Sequence, residues 1–204
     1  MKHYLMELVG SFFLAMAVTF TAGNPFAVGL MFMAMYYIGE SVSGGYFNPV
    51  FSVAAWLRGV LAMEAMLIYG AAQIAGALLA VWLYTSVFGS IYTTDVTADM
   101  ALWNAMLFEL LIAGALGLVF LTVSTSKDYK GSVVNGAVIG LSLSGMLYMS
   151  GLYNPAIALG SLLFQLIRVG GASIAHEVIV QYVVGPLLGG AAAAFAYDFF
   201  HPKK

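Results

Sequence analysis

The sequence predicts an all-α membrane protein: a bundle of six transmembrane helices plus two re-entrant half-helices, arranged as an inverted repeat. Three observations carry that prediction. The 204 residues are 62% hydrophobic and only 8% charged. That is more apolar surface than a soluble globule of this size buries, so a bilayer must act as solvent. Apolar runs of spanning length recur from one end of the chain to the other. Two shorter apolar pieces each open on an Asn-Pro pair, Asn48-Pro49-Val50 and Asn154-Pro155-Ala156.

Apolar runs bounded by polar or turn residues lie near 4–22, 26–39, 62–88, 101–124, 133–150 and 174–199, and each is read as a span. The first follows Lys2, carries Glu7 and continues to about Phe20 without a clear small-residue cleavage site. It is therefore read as a span and not as a secretory signal. The pieces 48–58 and 154–168 are too short to cross. At 1.5 Å rise, roughly ten to fourteen helical residues reach only half to two-thirds of the way through a hydrocarbon core. They are expected to be re-entrant. The spans leave no room for a soluble domain, so residues 1–204 are read as one membrane domain with repeats of approximately 1–100 and 101–204.

Met6-Glu7-Leu8 in the first span is echoed by Phe108-Glu109-Leu110 in the fourth, and Asn48 and Asn154 follow the two glutamates by 41 and 45 residues. Each half then holds three spans and one half-helix. Three is odd, so the second half enters from the opposite face, and the shared site falls near the midplane. With a cytoplasmic N-terminus, Lys2, Arg58, Lys127, Lys130, Lys203 and Lys204 lie inside and only Arg168 outside. The loop carrying Asp95 and Asp99 is then external and has no Lys or Arg. That bias follows the positive-inside tendency and predicts cytoplasmic N- and C-termini. The expected location is the cell membrane.

Asn-Pro at a helix start has a physical logic. Proline at the first helical position lacks an N–H that would be orphaned anyway, and the asparagine before it caps the turn. Gly44-Gly45 and Gly151 allow the chain to turn sharply on its way in, and Arg58 and Arg168 sit where a cation offsets the negative dipole end. Both half-helix N-termini point at the midplane, each presenting about half a positive charge that repels cations. The Asn48 and Asn154 amides are expected to donate hydrogen bonds to a passing oxygen where apolar walls offer no other partner.

At this point the resemblance is plain. Ser43-Gly44-Gly45-Tyr46-Phe47-Asn48-Pro49-Val50 and Gly151-Leu152-Tyr153-Asn154-Pro155-Ala156 resemble the two signature loops of the aquaporin, or major intrinsic protein, family. The resemblance extends to Glu7-Leu8-Val9-Gly10-Ser11-Phe12 in the first span and Tyr182-Val183-Val184-Gly185-Pro186-Leu187-Leu188-Gly189 in the last. It implies a right-handed six-helix bundle, one pore per protomer and a homotetramer in the membrane. It also implies that Glu7 and Glu109 support the re-entrant loops by hydrogen bonding their backbone.

The sequence departs from that family at the outer filter, where an arginine normally follows the second asparagine by three and Ile157 stands instead. The same register places Val28, Gly145 and Gly151 at the other filter positions. A filter of Val28, Gly145, Gly151 and Ile157 is wider and more apolar than that of a strict water channel, and it lacks one fixed positive charge. Val50 replaces the usual alanine and either packs against a neighbouring helix or narrows the centre. Ala158 stands where the family's glycerol channels usually carry an aspartate. Glu40 and Ser41 belong to the cytoplasmic vestibule, Glu40 as a solvated mouth residue or as a pH gate or cation attractor.

The remaining features exclude more than they assign. There is no cysteine, hence no thiolate metal site or cysteine nucleophile. His3, His176 and His201 lack metal-ligand spacing, no basic run fits nucleic acid, and no enzymatic or cofactor-binding motif is present. Neither a cofactor nor a metal is expected. The small residues of 185–194 are expected to allow close helix packing. The partners expected are membrane lipid, water and small neutral solutes such as glycerol. The reading is a passive channel; a secondary transporter, or a membrane packing protein with a closed pore, is the alternative.

Overall fold

The computed structural model describes residues 1–94, 100–149, 151–169 and 176–202. The expected Asp95 and Asp99 loop, the last residue of the run 133–150, the start of the run 174–199, and Lys203 and Lys204 lie outside them. The first half consists of α1 (Lys2–Phe20), α2 (Pro25–Ser43), the short α3 (Pro49–Leu57) and α4 (Met63–Phe88). The second half consists of α5 (Leu102–Thr125), α6 (Asn135–Leu147), α7 (Pro155–Val169), α8 (His176–Ile179) and α9 (Gly185–Phe200). Five stretches are long and apolar enough to cross a membrane: α1, α2, α4, α5, and α8 to α9 taken as one span of 25 residues.

The fifth expected span is shorter than its apolar run. As a helix, α6 has 13 residues, which at 1.5 Å rise gives about 20 Å. Single hydrogen-bonded turns prolong it at both ends, from Asn135 N to Ser132 O and from Met149 N to Met146 O. The last span carries a π-helical stretch, Val180–Val184, between α8 and α9. Its cause lies in the sequence. Pro186 has no N–H to donate to the carbonyl four residues earlier, so the preceding turn widens.

Packing repeats between the halves. The most extensive contacts are α1 with α4 and α5 with α9, while α2 and α6 pack on one another. Each half-helix is inserted into the other half as well: α3 contacts α5 and α9, and α7 contacts α1 and α4. Close approach of the paired spans rests on equivalent glycines. A Cβ at Gly76 would collide with Leu8 O and Phe12 N, and one at Gly189 with Leu110 O and Gly114 N. In lipid no hydrophobic effect drives helix against helix, so small residues that let backbones touch supply the packing energy.

Gly76→Ala is therefore expected to destabilise the bundle by about 1–3 kcal/mol through overpacking. Gly70→Ala is the control. Nothing lies within 4 Å of a Cβ at Gly70, so this helical position is expected to gain about 0.5–1 kcal/mol. Thermal unfolding of the detergent-solubilised protein measures both.

Candidate functional site

The two re-entrant loops are held by buried carboxylates. Glu7 is fully buried and accepts hydrogen bonds from Tyr46 N at 3.1 Å and Phe47 N at 2.7 Å. It also accepts from Ser43 Oγ at 2.6 Å and Gln73 Nε2 at 2.7 Å. In the second half Glu109, also fully buried, accepts from Leu152 N at 2.9 Å and Tyr153 N at 3.0 Å. Phe47 and Tyr153 both have φ of 52°, a left-handed conformation that bulky residues seldom adopt. The carboxylates bind the amides on and before these residues, so they fix the turn that aims each chain into its half-helix. Gly45 and Gly151, at φ of 68° and 113°, supply the preceding bend.

Asn48 and Asn154 cap the half-helices as expected from their sequence. Asn48 Oδ1 accepts from Val50 N at 2.9 Å, and Asn154 Oδ1 accepts from Ala156 N at 3.1 Å. Their amide groups do something the sequence did not indicate. Asn48 Nδ2 donates to Tyr153 O at 2.8 Å, and Asn154 Nδ2 donates to Phe47 O at 3.0 Å. Each asparagine therefore pins the opposite loop, reciprocally. A carboxamide nitrogen has two N–H donors, so each side chain retains one for the space beside it.

That space is a narrow conduit. A vestibule of about 130 Å³ is bounded by Gly23, Tyr92, Thr94, Gly151 and Tyr182, with Val28 and Leu147 at its floor. Below it a cavity of only about 10 Å³ continues to the asparagines, room for about one water. Asn48 and Asn154 are its polar side chains; α1 contributes Leu14 and Val18, α2 Val28 and Phe32, and α6 Leu143 and Leu147. Phe51, Leu152 and Ile157 complete the wall.

Of the four residues expected at the filter, Val28 and Ile157 line the narrow cavity, and Gly151 lines the vestibule. Gly145 does not join them. It is exposed on α6 with open space where a Cβ would stand, and Leu143 and Leu147 face the cavity instead. Gly145 lies about 200° around the helix from Leu143, at 100° per residue. The leucines add bulk to the cavity wall, so the conduit is narrower than a filter of Val28, Gly145, Gly151 and Ile157 implied.

Val50 is fully buried, with its Cγ1 3.6 Å from where a Gly117 Cβ would stand, and it is not part of the cavity wall. Of the two roles open to it, packing against α5 is the one observed. Pro49, Pro155 and Ala156 are buried at the two helix starts. Glu40 and Ser41 are exposed near the end of α2. Arg58 caps α3 and pairs with Asp198 on α9 at 2.7 Å, its guanidinium lying 4.9 Å from the Tyr197 ring centroid. Arg168 is exposed in the last turn of α7. Two participants escaped sequence reasoning: Gln73, whose signal was to be the only carboxamide in the apolar stretch of α4, and Ser43, whose signal was its place at the head of the first signature loop.

Two capped half-helices meeting nose to nose beside a narrow conduit, within an apolar helical bundle, define a membrane channel built from a repeat. Comparison with known proteins specifies which. The family model described as major intrinsic protein matches residues 13–197. Aquaporin TIP1-2 of Musa acuminata is 30% identical over 182 residues, covering 84% of this chain and 68% of that protein. Glycerol uptake facilitator protein-like 6 of Lactiplantibacillus plantarum is 30% identical over 215 residues, covering 96% of each. The aquaglyceroporin of Plasmodium falciparum superposes with a TM-score of 0.82 at 20% identity, covering 98% of this chain and 97% of that one. The chain belongs to the major intrinsic protein family. It is a multi-pass integral membrane protein and a passive channel.

Glu7→Ala would leave Tyr46 N and Phe47 N without their acceptor, at about 1–3 kcal/mol for each orphaned buried donor. A large drop in melting temperature is expected in detergent. Glu7→Gln keeps one accepting oxygen and is expected to lose clearly less.

Proposed function

We propose that the channel passes water in single file together with small neutral solutes such as glycerol. The observation that carries this reading is the wall of the narrow cavity: apolar apart from one pair of asparagine amides, and with Ile157 where the family usually places an arginine. A solute that sheds water there finds hydrogen-bond donors at the asparagines alone among the lining side chains, which favours compact neutral molecules. Two half-helix N-termini at that point oppose cations. The names of the relatives agree in kind, for they include the glycerol uptake facilitator-like protein and the propanediol uptake facilitator of Salmonella typhimurium, 29% identical over 214 residues.

In this reading the selective stretch consists of Val28, Leu147, Gly151 and Ile157. The channel works as a homotetramer, one conduit per protomer, in the cell membrane, with both termini cytoplasmic. A coupled transporter needs an ionisable group free to exchange its partners. Glu7 and Glu109 are instead committed to loop backbone.

Proteoliposomes provide the test. Shrinkage in an impermeant osmolyte is expected to be fast, weakly temperature-dependent and independent of ion gradients, and recovery in a glycerol gradient to be faster than in empty vesicles. Water flux equal to that of empty vesicles would sink the reading of a constitutively open channel for these solutes. Ile157→Arg narrows the cavity and adds donors, so glycerol flux is expected to fall about tenfold with a smaller loss of water flux. A glycerol rate untouched by this change would place Ile157 outside the selective stretch.

A further inference from the structure

The helix faces that line the narrow cavity do not end where the cavity ends. Val28, Phe32 and Tyr36 follow one another at intervals of four on α2, and Leu147, Leu143, Ile139 and Asn135 do so on α6. Residues spaced by four share a helix face. Val28 and Leu147 meet at the vestibule, so the two rows run antiparallel, and both continue past the cavity toward the end of α2. There Tyr36, Ile139 and Asn135 are 1%, 0% and 1% exposed.

The Tyr36 ring reaches from one wall to the other. Its Cδ2 lies 2.8 Å from where a Gly45 Cβ would stand on the first re-entrant loop, and its Cδ1 3.2 Å from that point on Gly136 of α6. Phe32 stacks on it, with ring centroids 6.4 Å apart. Two polar atoms are stranded in this otherwise apolar stretch. Tyr36 Oη and Asn135 Oδ1 are both buried without a well-formed hydrogen bond, the two side chains making only a weak polar contact with one another. Asn135 Nδ2 donates to Val123 O at 2.9 Å and Tyr129 O at 3.0 Å, which holds the carboxamide in one orientation. Orphaned buried polar atoms are rare and costly, and a water or a ligand hydroxyl is what commonly satisfies them.

We propose that Tyr36 and Asn135 form a second constriction of the conduit. The Tyr36 ring closes the path between the paired asparagines and the mouth near Glu40 and Ser41, and the Tyr36 hydroxyl with Asn135 Oδ1 binds a water or a polyol hydroxyl in transit. The transient guest donates to Asn135 Oδ1 and exchanges a hydrogen bond with Tyr36 Oη. Passage requires the ring to swing away from Gly45. This inference rests on the channel reading above and adds a hydrogen-bonding point at a place where the family resemblance supplied none.

Permeability of the full chain in proteoliposomes, normalised to protein content, tests it with Tyr36→Ala and Tyr36→Phe. Removing the ring is expected to raise water and glycerol flux about threefold or more, while removing only the hydroxyl is expected to lower both about threefold. Tyr36→Leu makes the same comparison with more packing volume retained, should Tyr36→Ala fail to elute as a single species. If wild type conducts and neither Tyr36→Ala nor Tyr36→Leu raises the flux, the closure is wrong. If Tyr36→Phe conducts like wild type, the binding role is wrong. A channel silent in wild type and opened by Tyr36→Ala supports the closure. Silence in wild type and all variants overturns the channel reading itself.

Discussion

Irregular backbone at the centre of a bilayer has no water to satisfy it, and each unpaired N–H there costs several kcal/mol or forces the chain to refold around it. The fold depends on how that demand is met. Glu7 and Glu109 each place a buried carboxylate against the last amides before a half-helix, and hydrogen bonds to a carboxylate are stronger than those between neutral groups. Without them Phe47 and Tyr153 have no reason to hold a left-handed conformation, and the asparagines that follow lose their aim. The carboxylates look wasteful inside an apolar bundle, yet they are what permits helices to begin halfway across.

The asparagines complete that arrangement from the other side. Each caps its own half-helix with its oxygen and ties the opposite loop with its nitrogen. The halves of the chain are thus joined at their most irregular points and not merely along helix faces. One consequence is electrostatic. Two helix N-termini are kept together although their dipoles oppose one another, and the cross-loop hydrogen bonds supply the restraint. The remaining N–H of each amide belongs to the conduit, so the groups that hold the site together also form its polar surface.

Much of this was legible beforehand because it follows from local chemistry. Asn-Pro predicts a capped helix start wherever it stands, the apolar runs fix the spans to within a few residues, and paired Glu7 and Glu109 mark buried charges in need of partners. The short α6 was less legible, since apolar character continues beyond the point where its regular hydrogen bonding stops. So was the π-helical stretch before Gly185, although Pro186 announces that one hydrogen bond must be missing there.

What the sequence by itself determined is the class of protein: apolar spans, two capped half-helices and the repeat that opposes them are each written in composition, spacing and residue type. Which face of a helix looks at the conduit was decided only in the tertiary structure, because an apolar residue in a membrane bundle reads alike whether it meets lipid, a neighbouring helix or the pore. Gly145 turned outward and Leu143 and Leu147 turned in, Val50 packed against α5, and Tyr36 came to rest on Gly45. Those outcomes depend on helix rotation about axes set by close glycine contacts, and no single segment of the chain encodes them.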